Sequence, residues 1–171
     1  MGSSYKILIV DDEEMLRSYL VSLFSKYGHT SEISKDGMEA LEKIKKNSYD
    51  AAVIDIVMPH MDGITLTKEL VKLYPDLPIM IMTGHAHEQS AKSAIAVGAR
   101  EFIKKPFSID EFIIRFDKMM HDHEMLCRVK KNGYDRVFNL QRESLEQIEE
   151  LKKKIETLER KSYHLDPDWL G

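Results

Sequence analysis

The feature that most constrains the fold of this chain is a short apolar segment that ends on a carboxylate. Residues 51–55 read Ala-Ala-Val-Ile-Asp. An uninterrupted apolar run of this length predicts a strand buried on both faces, as in a parallel sheet. Met58-Pro59 ends the strand, because proline cannot donate a hydrogen bond to a sheet ladder. Asp55 is therefore expected at the carboxyl edge of the sheet, where open α/β folds bind their ligands. Taken alone, Asp55 could equally be an ordinary turn carboxylate.

The alternation of apolar strands with amphipathic helices extends along the first two thirds of the chain. Each predicted strand precedes a segment in which apolar residues recur at helical spacing. The predicted strands are residues 5–10, 30–33, 51–55, 78–82 and 101–104. Five strands alternating with five helices over about 120 residues predict an α/β protein with a doubly wound parallel sheet.

Asp36-Gly37 and Asp62-Gly63 predict turns into the second and third helices. At two other helix starts, polar side chains suit N-caps, which accept hydrogen bonds from free backbone N–H groups. Asp11 or Asp12 could cap the first helix, and Ser108 or Asp110 the fifth.

Polar side chains also collect just after the predicted strands, and these favour a site over a simple turn. They are Asp11, Asp12, Asp55, Thr83 and Lys105. In this architecture they meet at one edge of the sheet, at its topological switch point. Clustered carboxylates repel, so such a group is stable when a cation is present. Oxygen-only ligands favour Mg²⁺ or Mn²⁺, and the lack of a histidine in the set argues against zinc.

The same set of residues suits phosphoryl transfer to a carboxylate. Asp55 offers the nucleophile, and a divalent cation and Lys105 would neutralise the oxygens of the transferred group. Thr83 adds a hydroxyl. A hydrolase resembling the haloacid dehalogenases would need a second Asp two residues after its nucleophile, where Val57 stands.

Taken together and in order, these motifs resemble the receiver domain of two-component response regulators. The resemblance spans roughly residues 4–122 and rests on Asp11-Asp12, Asp55 with Met58-Pro59-x-Met61-Asp62-Gly63, Thr83-Gly84 and Lys105-Pro106-Phe107. It implies a flavodoxin-like sheet of strand order 2-1-3-4-5 and a phosphorylation-dependent signalling switch rather than an enzyme.

The resemblance also implies a role for each site residue. Asp55 matches the phosphoacceptor, and Lys105 matches the lysine that pairs with the phosphoryl group. Thr83 and Phe102 match a switch pair in which an aromatic ring follows the hydroxyl inward. The implied Mg²⁺ or Mn²⁺ ligands are Asp11, Asp12, Asp55 and the backbone carbonyl of Val57, with Asp12 the more direct member of the acidic pair. The Lys105-Pro106 peptide bond resembles one that is often cis in this family.

Composition indicates a soluble globular protein and sets expectations for partners. The 171 residues are 43% hydrophobic and 32% charged, and the net charge of -4 gives no electrostatic case for nucleic acid. No apolar run of membrane-spanning length and no secretory signal occur, so we expect a cytoplasmic protein without a membrane contact. The resemblance implies a histidine kinase or a phosphotransfer protein as partner.

The last third of the chain differs in kind and predicts a long charged helix. We expect a receiver domain at residues 4–122, a helical or coiled-coil extension at 123–162 and a tail at 163–171, with a break or bend at Asn132-Gly133. A narrow apolar stripe runs along the extension at steps of three and four residues. Its members are Val137, Leu140, Ser144, Ile148, Leu151, Ile155 and Leu158.

Several interpretations of the extension stay open at this point. The helix could fold back on the receiver, pair with a partner, or pair with a second copy. A homodimer could form through this helix or through the face made by the fourth helix, fifth strand and fifth helix. The chain could be a fragment, a receiver whose output is the helix, or a scaffold that works without phosphate. Metal binding by His85-x-His87 or His121-x-His123 is not favoured over solvated loop and helix positions. If the second pair lies on a helix, its residues i and i+2 do not share a face.

Overall fold

The computed structural model describes residues 3–84 and 93–162, apart from the side chains of Ile155 and residues 158–162. Predictions that concern His85, His87 and residues 163–171 lie outside the described part. The strands are β1 (Lys6–Val10), β2 (Thr30–Ser34), β3 (Ala51–Asp55), β4 (Ile79–Thr83) and β5 (Glu101–Lys104). The helices are α1 (Glu14–Lys26), α2 (Gly37–Lys46), α3 (Gly63–Leu73) and a long helix (Ile109–Ser162).

The five strands form one parallel sheet in the order β2-β1-β3-β4-β5. This confirms the predicted doubly wound sheet and its strand order. β3 occupies the centre, and all five of its residues are buried. Its register sets Ile9 beside Val53 and Ile54 beside Ile81. The apolar run at residues 51–55 is therefore the middle strand of the sheet.

Two apolar layers cover the sheet, because successive strand side chains point to opposite faces. On one face, Val53 packs in a cluster with Phe24 of α1 and with Phe112 and Phe116 of the long helix. On the other face, Ile54 packs with side chains of α2 and α3. Both faces of β3 are thus covered, which explains its lack of polar residues before Asp55.

Three of the described helices begin with a side-chain cap. The cap at Ser108 was among the predicted caps, whereas Asp36 and Asp62 were predicted to lie in turns. The side chains of Asp36, Asp62 and Ser108 accept hydrogen bonds from backbone N–H groups three residues later. The prediction that Asp11 or Asp12 caps α1 is wrong. The N-cap is Glu13, which makes no side-chain cap bond. Asp11 cannot act as the cap because it lies two residues before the N-cap position, where its carboxylate bonds the Glu13 N–H instead.

Residues 93–96 are helical, in agreement with part of the predicted fourth helix, whose beginning lies outside the described residues. The Lys105–Pro106 peptide bond is cis, as the resemblance implied. In the described residues, no helix is long and apolar enough to span a membrane.

The chain divides into two compact units, residues 1–124 and 125–171. The first contains the sheet, its helices and the start of the long helix. The second contains the rest of the long helix, which is 54 residues long and continuous. Of the predicted break or bend at Asn132-Gly133, the break is therefore wrong. Glycine costs a helix only about 1 kcal/mol, which does not by itself end a helix of this length.

Candidate functional site

Four of the predicted site residues lie at one edge of the sheet, which we call the carboxyl edge. Asp55 is the last residue of β3, and Thr83 is the last residue of β4. Asp11 directly follows β1, and Lys105 directly follows β5. Asp11, Asp55 and Thr83 are each at most 5% exposed. The carboxyl edge therefore holds buried polar groups, which is unusual for simple turns.

Lys105 joins the two buried carboxylates. Its Nζ lies 2.8 Å from Oδ2 of Asp11 and 2.8 Å from Oδ1 of Asp55. A third carboxylate oxygen, Oε1 of Glu13, is 3.7 Å from the same nitrogen. The Lys105 side chain is 17% exposed and that of Glu13 is 67% exposed. The two short contacts are therefore shielded from water, whereas the contact with Glu13 is screened.

The loop after β3 fixes the orientation of Asp55. The backbone N–H of Val57 donates to Oδ2 of Asp55 at 3.0 Å, so the two carboxylate oxygens have different partners. The loop returns to the strand end where Gly63 N–H donates to the Ile56 carbonyl at 2.9 Å. A Cβ at Gly63 would lie 2.0 Å from the Asp55 carbonyl oxygen. Only glycine permits this approach, so Gly63 positions the loop that holds Asp55.

The turn after β1 holds Asp11 in a similar way. Its Oδ1 accepts from the Glu13 N–H at 2.8 Å, which leaves Oδ2 for Lys105. Nη1 of Arg17 donates to the Asp11 backbone carbonyl at 2.7 Å. Sequence reasoning assigned no site role to Glu13, Arg17 or Gly63. The acidic run that continues past Asp12 could have pointed to Glu13, but nothing in the sequence indicated the contact of Arg17.

The pKa values of Asp55 and Lys105 are shifted by burial and by the presence of two carboxylates beside one ammonium group. Burial raises the pKa of the Asp55 carboxyl, and although Lys105 opposes this rise, the charge of Asp11 adds to it. Burial alone would lower the pKa of Lys105, but its hydrogen bonds to Asp11 and Asp55 outweigh burial and raise that pKa. Two carboxylates share one ammonium, so a further cation would relieve excess negative charge.

The donor types at this edge fit a hard divalent cation. Asp11 and Asp55 offer carboxylate oxygens, which Mg²⁺ prefers, and Asp12 follows in the chain with an exposed side chain. Within residues 3–84 and 93–162, no group of three or more His, Cys, Asp or Glu side chains is arranged to hold a metal. The structure therefore brings Asp11, Asp55 and Lys105 together, and it does not place Asp12 in a formed metal cluster with them.

The predicted switch residues lie on neighbouring strands. Phe102 is half-buried in β5, opposite Ile81 of β4, and packs against the apolar cluster on the α2–α3 face. Thr83 is buried at the end of β4, and its backbone carbonyl accepts from the Lys105 N–H at 2.7 Å. A backbone bond thus connects the end of β4 with the lysine that contacts Asp55.

The chain matches a family model described as the response regulator receiver domain over residues 7–117. Response regulator MprA of Mycobacterium ulcerans is 34% identical over 117 residues, which are 68% of this chain and 50% of that protein. MprA of Mycobacterium leprae is 32% identical over 115 residues, with similar coverage. The chain therefore spans about half the length of the curated relatives it matches.

Solved structures give the same result. NtrX from Brucella abortus superposes with a TM-score of 0.72 at 30% identity, covering 75% of this chain and 29% of that one. A response regulator receiver domain protein from Clostridium thermocellum superposes with a TM-score of 0.67 at 27% identity, covering 71% and 98%. Receiver domains are signalling switches of two-component systems, whose usual partners are histidine kinases. The fold, the carboxyl edge and these matches show that the chain belongs to the response regulator receiver-domain family.

Proposed function

We propose that this chain is a phosphorylation switch that accepts a phosphoryl group on Asp55 from a histidine kinase or a phosphotransfer protein. The observation that carries the proposal is the pair of 2.8 Å contacts between Lys105 and the buried carboxylates of Asp11 and Asp55. An isolated turn carboxylate would need neither this burial nor this partner.

In the proposed transfer, a carboxylate oxygen of Asp55 attacks phosphorus. The bond between phosphorus and the donor nitrogen breaks, and its electron pair stays with that nitrogen. The Val57 N–H holds Oδ2 of Asp55 in a fixed direction, so the nucleophile is oriented before the donor arrives. Lys105 already contacts Oδ1 of Asp55 and can follow the added negative charge to a phosphoryl oxygen.

We further propose that Asp11, Asp12, Asp55 and the Val57 carbonyl hold Mg²⁺. When bound, the ion would neutralise charge on the phosphoryl oxygens. The excess of buried carboxylates over ammonium groups supports this assignment, as does the oxygen-only donor set.

The readout would pass through Thr83 and Phe102 to the long helix or to a partner. Phe102 has no hydroxyl, so its response is a change in packing rather than a new hydrogen bond. The bond from the Lys105 N–H to the Thr83 carbonyl connects the lysine of the proposed phosphoryl site with the end of β4.

The assignment of Asp55 can be tested by incubating the full chain with Mg²⁺ and acetyl phosphate and measuring intact mass. We expect an added mass of about 80 Da, the mass of one phosphoryl group. Asp55→Asn should abolish the addition, because the amide cannot accept the group. Asp50→Asn is the matched control, since Asp50 directly precedes β3 at the opposite end and bonds the Lys6 N–H. Labelling that survives in Asp55→Asn would rule out Asp55 as the phosphoacceptor.

A further inference from the structure

The long helix carries a continuous apolar stripe over residues 126–151. The stripe advances by three, four and four residues, which is an 11-residue repeat, and the helix is unbroken over this range. Eleven residues make almost exactly three helical turns, so the members stay on one side of the helix. They are Leu126, Val129, Gly133, Val137, Leu140, Ser144, Ile148 and Leu151.

The aliphatic members of this stripe are exposed in the second unit of the chain. The six side chains other than Gly133 and Ser144 are 48–66% exposed. At roughly 100 Å² of apolar surface each, two such stripes packed together would bury on the order of 1,200 Å². This area exceeds the roughly 1,000 Å² that a specific protein interface needs. In proteins most helical stability comes from the packing of an apolar face, so a partner that covers this stripe would stabilise the helix.

We propose that the stripe pairs with the same stripe of a second copy in a parallel two-stranded coiled coil. The choice of occupant rests on the side-chain types at each position. Val137 and Ile148 begin successive repeats, and Leu140 and Leu151 follow three residues later. In these two repeats a β-branched residue precedes a leucine, the order that favours parallel two-stranded assembly in heptad coiled coils. Leu126 and Val129 of the preceding repeat have the reverse order.

The charges beside the stripe agree with this arrangement. Val137 and Ile148 occupy the first position of their repeats, and Leu140 and Leu151 occupy the second. In a parallel pair, the residue that precedes a first position in one helix lies beside the residue that follows a second position in the other helix. Arg136 then lies beside the partner's Gln141, and Gln147 beside the partner's Lys152. Glu150 lies on the side away from the stripe, where it pairs with Lys154 of its own helix at 2.8 Å. Like charges therefore do not meet in these two flanking pairs.

Gly133 and Ser144 form two narrow layers in the proposed coiled coil. Their small side chains let the helices approach closely at these points. An 11-residue repeat also gives a straight or slightly right-handed pair instead of the left-handed supercoil of heptads. The inference goes beyond the proposed function, because pairing through residues 126–151 does not require phosphorylation.

The first test is the solution mass of the unphosphorylated full chain at micromolar concentration, measured by light scattering. We expect twice the chain mass, and Ile148→Glu should halve it by placing a charge in the seam. Phe138→Glu is the matched control, because Phe138 is 67% exposed but lies off the stripe, so this variant should stay dimeric. A monomeric wild-type chain would overturn the proposal, as would a Phe138→Glu variant that dissociates while Ile148→Glu does not.

The second test determines helix direction by disulfide formation in a Cys127→Ser background, which removes the native thiol. Ser144→Cys should form a disulfide-linked dimer under mild oxidation, because the two Ser144 positions face each other in a parallel pair. Glu146→Cys, on the opposite side of the helix, should not. If Ser144→Cys forms no such dimer alone but forms one when mixed with Gly133→Cys, the helices are antiparallel and the proposal is wrong.

Discussion

Lys105 is the residue on which the electrostatics of the carboxyl edge depend. It contacts Asp11 and Asp55 at 2.8 Å each, and its side chain is 17% exposed. Without its ammonium, two carboxylates would stay buried with no protein cation between them. Removing one partner of a buried charge pair is far more costly than removing an exposed one. The lysine therefore has a structural role before any phosphoryl group arrives.

We predict that Lys105→Met lowers the free energy of unfolding by about 3–5 kcal/mol when no divalent cation is present. Urea unfolding measures this loss. Lys104→Met is the matched control, since the adjacent Lys104 is exposed and should change stability by less than about 0.5 kcal/mol. Adding Asp55→Asn should raise the free energy of unfolding more in the Lys105→Met variant than in the wild type, because there the Asp55 charge has lost its ammonium partner. An equal effect of Asp55→Asn in the two backgrounds would show that Lys105 and Asp55 are not coupled.

We predict that the ionised Asp55 carboxylate lowers the free energy of unfolding at neutral pH. Burial raises its pKa, so the folded state favours the protonated carboxyl. Such a group contributes stability below its ordinary pKa of 3.8 and loses that contribution as the pH rises through the folded pKa. In metal-free buffer at about pH 7, Asp55→Asn should therefore unfold at higher urea concentration than the wild type.

The pH dependence provides the check on this assignment. The stability difference between Asp55→Asn and the wild type should shrink as the pH falls towards the ordinary pKa of the carboxyl. The wild-type Asp55 carboxyl then becomes neutral, as the amide already is. Asp50→Asn should show no such trend. If Asp55→Asn were less stable than the wild type at every pH, the explanation through burial would fail.

At the scale of elements, the loop from β3 to α3 connects packing with the site. Gly63 begins α3, and its Cα approaches the end of β3 so closely that a Cβ would lie 2.0 Å from the Asp55 carbonyl oxygen. The neighbouring atoms belong to backbone, which cannot turn aside as a flexible side chain would. The start of α3 and the position of Asp55 are therefore set together.

Gly63→Ala should cost about 2–3 kcal/mol in unfolding free energy, because the overlap forces backbone displacement. It should also reduce labelling of Asp55 by acetyl phosphate. Gly133→Ala is the contrasting variant for labelling. Within the chain a Cβ at Gly133 meets nothing within 4 Å, so acetyl phosphate should label Asp55 as it does in the wild type. Wild-type stability in Gly63→Ala, measured by urea unfolding, would contradict this reading of the loop.

For the whole molecule, the sequence predicted the sheet and much of its edge. Five apolar segments each followed by polar residues are enough to place Asp11, Asp55 and Lys105 together, because parallel strands present their carboxyl ends at one edge. The resemblance supplied the strand order. These predictions depend on the spacing and order of apolar and polar residues, which can be read directly from the sequence.

Contacts between loop residues could not be predicted, because the local sequence pattern does not determine the course of the loop backbone. The bond from Arg17 to the Asp11 carbonyl and the contact of Gly63 with Asp55 require knowledge of where two loops turn. The continuity of the long helix through Asn132-Gly133 was mispredicted for a different reason. A local Asn-Gly signal costs a helix only about 1 kcal/mol, which does not by itself end a long helix.

We propose that the carboxyl edge is a phosphoryl site coupled to β4 and β5. Hydrogen exchange of the full chain, with and without Mg²⁺ and the phosphoryl mimic beryllofluoride, tests it most directly. We predict slower exchange in segments containing Asp55, Thr83 and Lys105, together with a change at Phe102, and none of these in Asp55→Asn. Exchange that does not respond to the mimic, or that responds equally in Asp55→Asn, would contradict the account.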